Sequence, residues 1–243
     1  RKSLVPGLAG RGTIAHNHSL TLDLRENRFH LQVHAGSLED NPVAQEMLEG
    51  ALMRMPDFIV NTVLTPDNRL AGVLAGDMVS AHAAACRCAE HIYRCDIGER
   101  ADFAIASAES SSNWIQAHKA LYNADRAVKK DGRIVLFAPC AEGLGNERFR
   151  YWVAQPATED IYAGLRKSPE VNGQTALSSR LRGARTVLVT AMSERDRTDL
   201  GIETAPDLES AVKRVLSDLA GKGIREPTFY LMPEALYTVP FTP

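Results

Sequence analysis

The sequence predicts a layered α/β fold in two domains, and three observations predict it. Beyond Arg100 the chain alternates between strand-like and helix-like stretches, as in a largely parallel sheet covered by helices. A polar, turn-like run, Asp96-Ile97-Gly98-Glu99-Arg100, separates that region from an earlier hairpin and helices, which predicts domains over 1–97 and 98–243. The 243 residues are 44% hydrophobic and 24% charged, an ordinary globular composition with length for one large or two modest domains.

Each element has a local reason. Residues 1–20 are rich in Gly, Ser, His and Asn and read as a loop leading into a short helix. Residues 28–33 read as a strand. Asn41-Pro42 opens a helix with Val43, Met47, Leu48 and Ala51 on one face, since proline suits a first helical turn. Residues 58–64 are rich in β-formers, Pro66-Asp67-Asn68 is turn chemistry and residues 70–74 return, so 58–74 reads as a hairpin. Asp77 caps a long helix that runs almost to Cys95. In the second region, strands are expected at 102–106, 133–137, 186–190 and 228–231. Helices are expected at 114–128, near 158–165 and 173–183, and after the Asp207 cap, where Gly221 or Gly223 ends the last one. Ligands of such sheets bind beyond the carboxyl ends of the strands, so the loops after Ala106 and Phe137 are the first places for a site.

The formal net charge is −2, from 28 basic and 30 acidic residues. A nucleic-acid surface needs a basic excess that this chain lacks, and no apolar run approaches the roughly 20 residues of a membrane-spanning helix. Four dispersed cysteines in a chain of this length suggest reduced thiols and a cytoplasmic setting rather than a disulfide framework. The opening text from Arg1 to Gly7 reads like the interior of a longer chain, so the expected protein lacks an N-terminal half.

Glycine-rich dinucleotide and phosphate-loop patterns are absent, and Gly143-x-Gly145 is too short to count as either. Four of the seven histidines fall within residues 16–34, and His16-Asn17-His18-Ser19 is the densest polar knot. A neutral imidazole is a common metal ligand, but a lone histidine is more often a surface or satisfied core residue. His30 and His34 would share a face of the expected strand. Lys2, beside a Pro-Gly turn, could hold an anion or a covalent group, or simply be solvated. Gln116 and Lys119 share a helix face just after a strand and the Ser110-Ser111-Ser112 loop, where they could hold a carboxylate or form an exposed face. Cys140, past a strand end, reads as a loop thiol because no paired base is evident. Cys86 and Cys88 point to different sides of a helix and do not make a metal site with His91 and Cys95.

Arg1-Lys2-Ser3-Leu4-Val5-Pro6-Gly7-Leu8-Ala9, followed by Thr13-Ile14-Ala15-His16-Asn17-His18-Ser19, resembles a stretch of the lactate racemase family, whose members use a nickel-pincer nucleotide to racemise or epimerise 2-hydroxy acids. Asn41-Pro42-Val43 with Met47, Phe58 to Leu64, Ala75-Gly76-Asp77 with Ala81-His82, and Ile115-Gln116-Ala117-His118-Lys119-Ala120 follow in order. The resemblance covers most of 1–145. It implies that Lys2 tethers the cofactor, that His18 rather than His16 ligates nickel, and that Gln116 and Lys119 contact the substrate. It also implies that residues 1–97 are the tail of a cofactor-binding domain and 98–243 a second α/β domain closing over the substrate, with the site between them. Hydride would leave the hydroxyl-bearing carbon for the cofactor and return to either face of a 2-keto acid.

Three departures qualify this. The family's general acid and base histidines lie upstream of the matched lysine and have no counterpart here, so a missing N-terminal half or a partner chain would supply them. The loop at 107–113 is shorter and serine-rich, and Glu142-Gly143-Leu144-Gly145 replaces a histidine-containing loop. Two other functions stay open: a non-catalytic module that binds a hydroxy acid through Lys119, and a metallohydrolase using His16, His18 and His34.

Overall fold

The computed structural model describes residues 2 and 4–242, which gather into two compact units. The first unit runs to Arg94 and also takes in Tyr162–Val171; the second comprises Cys95–Ile161 and Asn172 onwards.

The first unit opens with helix α1 (Arg11–Ser19), the short hairpin β1 (Leu22–Asp23) and β2 (Arg28–Phe29), and helix α2 (Pro42–Leu52). Asn41 caps α2 as expected, its Oδ1 accepting from the amides of Val43 and Ala44. α1 was harder to read because its apolar residues form no stripe. What docks it is polar: fully buried Asn17 donates to Val43 O at 3.1 Å and to Glu46 Oε2 at 2.6 Å, both on α2. The expected hairpin is present as antiparallel β3 (Ile59–Leu64) and β4 (Leu70–Gly76). Helix α3 (Met78–Tyr93) packs on it, capped by Asp77, whose Oδ1 accepts from Val79 N and Ser80 N. The expected strand over 28–33 is corrected. β2 stops at Phe29 and the chain turns at once, with Val33 N bonded to His30 O. His30 and His34 therefore do not share a strand face.

The second unit contains β5 (Arg94–Asp96), β6 (Ala101–Ser107), α4 (Trp114–Ala127), β7 (Val128–Phe137), α5 (Glu147–Val153), α6 (Thr158–Lys167) and α7 (Val171–Gly183). Then come β8 (Thr186–Val189), α8 (Glu194–Leu200), β9 (Glu203–Ala205), α9 (Leu208–Gly221), β10 (Phe229–Met232) and β11 (Val239–Phe241). α6 begins here, but Tyr162 onwards belongs to the first unit, where Arg166 donates to Leu24 O.

Five strands form one parallel sheet in the order β10-β6-β7-β8-β9. This is the mixed α/β class that the strand–helix alternation predicts. Phe103, Val135 and Val187 pack against Ala211, Val215 and Leu219 of α9. Residues alternating with them, Ala104, Ile134 and Leu136, turn to the opposite face and are also buried, and α4 packs on the same two strands. Burial on both faces explains why these strands read as continuous apolar runs. From β6 the sheet grows in one direction through β7, β8 and β9, and then β10 is placed on the other side of β6. The loops leaving β6 and β10 are therefore neighbours at the carboxyl ends of the strands, where such sheets open a crevice for ligands.

Candidate functional site

A cavity of about 220 Å³ lies in that crevice, lined by Ser110, Ser111, Ser112, Gln116, Lys119, Leu236 and Tyr237. The three serines follow β6, and Leu236 and Tyr237 follow β10. α4 begins at the cavity, capped by Asn113, whose Oδ1 accepts from Gln116 N. A helix N-terminus favours negative charge. Lys119 stands one turn further on and donates from Nζ to Gln116 Oε1 at 2.7 Å. That bond uses one of the three ammonium protons and leaves the Gln116 amide group to donate elsewhere. Among the described residues, Lys119 makes no ion pair. The two substrate residues implied by the resemblance are thus together, beside the serine loop and a helix N-terminus.

Two supports hold this arrangement. Asn123, one turn beyond Lys119 and buried, donates to Ala235 O at 2.7 Å, pinning the C-terminal turn that carries Leu236 and Tyr237. The loop after β7 braces the serine loop: Glu142 N donates to Ser112 O, and Gly143 O accepts from Trp114 N. A side chain at Gly145 would come within 3.0 Å of the Asn113 cap, and its φ is +104°. These glycines let a loop pack on the start of α4; they do not cradle a phosphate. Leu236 and Tyr237 were not anticipated. They reach the cavity only because β10 inserts beside β6, a long-range fact without a local signal.

In the first unit, Lys2 is exposed and its carbonyl accepts from Gly7 N, closing the Pro-Gly turn. Half-buried His18 has a pKa below the usual histidine value, chiefly through burial and then through the nearby charge of Lys2, with Glu46 opposing. The two residues that the resemblance assigns to the cofactor therefore sense each other, and His18 is held neutral, the form that ligates a metal. His16 instead points Nε2 at Glu46 Oε1, 3.2 Å away. Glu46 thus binds both neighbours of His18 in the His-Asn-His run and fixes the turn that presents it.

Among the described residues, no group of three or more His, Cys, Asp or Glu is placed to hold a metal ion. A hydrolytic zinc or nickel centre built from His16, His18 and His34 has no support, and His34 Nδ1 lies 3.0 Å from Ala35 O. Here the described residues offer the His18 imidazole and the Lys2 amine. That set fits a metal carried by an organic group tethered at Lys2, not a bare ion held by protein alone. Burial raises the Cys140 thiol to about 12, which keeps it protonated at neutral pH and unsuited to nucleophilic attack. No disulfide joins the cysteines. No described helix is long and apolar enough to cross a membrane.

No protein-family model matches the chain. It is 30% identical over 155 residues to a lactate racemase of Thermoanaerobacterium thermosaccharolyticum, covering 63% of this chain and 35% of that protein. It is 31% identical over 159 residues to a lactate racemase of Lactiplantibacillus plantarum, covering 63% and 36%. The matched region thus spans about a third of these curated relatives. The solved lactate racemase apoprotein of T. thermosaccharolyticum shares the fold with a TM-score of 0.83 and 22% identity, over 99% of this chain and 58% of that one. A solved Thermotoga maritima protein shares it more loosely, with a TM-score of 0.56 and 16% identity. Over the matched region the chain is similar in sequence to two lactate racemases, and it shares the fold of a solved one.

Proposed function

We propose that this chain carries the substrate-binding and cofactor-anchoring parts of a 2-hydroxy-acid racemase or epimerase, an isomerase that works with a nickel-pincer nucleotide. The observation that carries the reading is the cavity at the carboxyl ends of β6 and β10 in the parallel sheet. There Lys119, steadied by Gln116 at 2.7 Å, faces a site beside the N-terminus of α4. A small carboxylate is stabilised by a primary ammonium and by the helix field together. The Gln116 amide supplies a further donor that fixes its orientation.

Lys2 and His18 would hold the nickel-pincer nucleotide, Lys2 as the tether and His18 as the neutral nitrogen ligand. When bound, that group supplies the capacity to take a hydride from the hydroxyl-bearing carbon and give it back. The chain's own residues bind the acid, orient it and keep the ligating imidazole unprotonated. The general acid and base that the resemblance places on two histidines have no matched position in this sequence. In this reading a partner chain, or the remainder of a longer one, supplies them, and the assembly works in the cytoplasm.

Calorimetric titration of the chain with lactate tests the carboxylate role. Lys119→Ala should weaken binding about tenfold or more, the scale of a lost charge-assisted bond; unchanged affinity removes the reading. Metal analysis after loading tests the other unit: His18→Ala should lose nickel and His16→Ala should keep it. Retention of nickel by His18→Ala would overturn the ligand assignment. A non-catalytic hydroxy-acid-binding module is favoured by the replaced loop at 107–113, and it would bind the acid yet take up no nickel.

A further inference from the structure

Ser111 lines the same cavity, is 6% exposed, and its buried hydroxyl oxygen has no hydrogen-bond partner among the described residues. The polar groups that build its turn are accounted for. Its own amide donates to Ala108 O, the Ser112 carbonyl accepts from Glu142 N, and Ser112 Oγ accepts from Asn113 Nδ2 at 3.2 Å. The turn is therefore built without the Ser111 hydroxyl, and alanine would serve it equally well. A buried, unpaired hydroxyl is costly and uncommon in folded proteins, which makes it a candidate for a bond completed by a ligand.

We propose that Ser111 is a substrate-binding residue that recognises the 2-oxygen of a small 2-hydroxy acid whose carboxylate Lys119 and Gln116 hold. The assignment rests on the functional reading above. A serine hydroxyl both donates and accepts. It can bond the substrate when the 2-oxygen is a hydroxyl and again when it is a carbonyl, which only accepts; an ammonium, which only donates, cannot match both states. In the empty cavity the oxygen is shielded, and rotation about the Ser111 Cα–Cβ bond, between staggered positions, brings it to the ligand. The cavity's roughly 220 Å³ equals the share of about seven liquid waters, which suits a short acid rather than a nucleotide.

The test compares lactate with propionate, the same acid without the 2-hydroxyl, by calorimetry on the 243-residue chain and on its Ser111→Ala and Lys119→Ala variants. Ser111→Ala should weaken lactate about five- to tenfold, the scale of one lost hydrogen bond, and leave propionate unchanged. Its melting temperature should not fall, because no internal bond is lost. Equal effects of Ser111→Ala on both acids, or no effect on either, overturn the assignment. If Lys119→Ala still weakens both acids, the carboxylate reading survives that failure. If Ser111→Ala is selective while Lys119→Ala changes nothing, Ser111 stands and the carboxylate reading falls. If neither acid binds the unmodified chain, both fall.

Discussion

His118 precedes Lys119 on α4, and its Nε2 lies 2.7 Å from Ser178 Oγ. Arg182 donates to the same oxygen, which leaves the Ser178 proton available to a neutral imidazole. Burial, and then the charge of Arg182, push its pKa down to about 3. The unfolded chain takes up this proton near 6.5, so the native state is disfavoured as pH falls from there toward 3. The loss has a slope of up to ~1.4 kcal/mol per pH unit. Denaturant unfolding followed through this range should show a flatter acid limb for His118→Gln; parallel limbs would remove His118 as the cause. Asp102 acts lower on the scale. It accepts from Lys129 Nζ at 2.7 Å, Thr228 N at 2.8 Å and Thr228 Oγ1 at 2.9 Å. These bonds, led by Lys129, hold its carboxyl below the ordinary range. Its stabilisation is complete above the unfolded value of about 3.9 and is lost as pH drops through the lower folded one. Asp102→Asn should cost about 1–3 kcal/mol at neutral pH, shrinking on acidification as the native carboxylate protonates. A cost independent of pH would contradict the ion-pair account.

At the scale of elements, α4 organises the second unit. Its first turn meets the cavity, Trp114 donates from Nε1 to Ser179 Oγ on α7 at 2.9 Å, and Asn123 holds the turn before β11. Arg126 continues that seam, donating to Pro240 O and covering the Phe241 ring. Asn123→Ala removes the donor for a buried carbonyl and should cost about 1–3 kcal/mol. Amide exchange at 235–238 should quicken in that variant while exchange in β7 stays slow, and equal quickening in both would mean that α4 as a whole had loosened. The cap at Asn41 and the one at Asp77 were readable because a side chain and the amides it bonds lie within three residues. α5 and α8 were not anticipated, since a helix of two turns is too short to show a hydrophobic period, and their Asn146 and Ser193 caps resemble turn residues. Of the cavity, Gln116 and Lys119 could be read from spacing and position after a strand. Leu236 and Tyr237 lie more than 100 residues away in sequence, and a fold-level insertion of one strand brings them in.

Across the whole molecule, apolar burial is unevenly shared. In the second unit the central strands of the sheet are buried on both faces, and Ile134, Val135 and Leu136 in β7 are fully buried, whereas Phe229 and Leu231 of the edge strand β10 are exposed. In the first unit the β3–β4 hairpin buries Val63, with Met78 and Ala81 of α3, while Phe58 is 62% exposed and Val60 61%. A two-stranded hairpin with an open face gains little from burial and is marginal on its own. Local opening free energy follows buried apolar contact, so the two units should not share one stability. Native-state hydrogen exchange on the chain tests this. Amides of β6, β7 and β8 should exchange only through global opening of their unit, with a strong dependence on denaturant. Amides of β3 and β4 should exchange through smaller openings that need little denaturant and expose little surface. If the hairpin is as protected as β7, with the same denaturant slope, the first unit draws its stability from more than its own buried contacts.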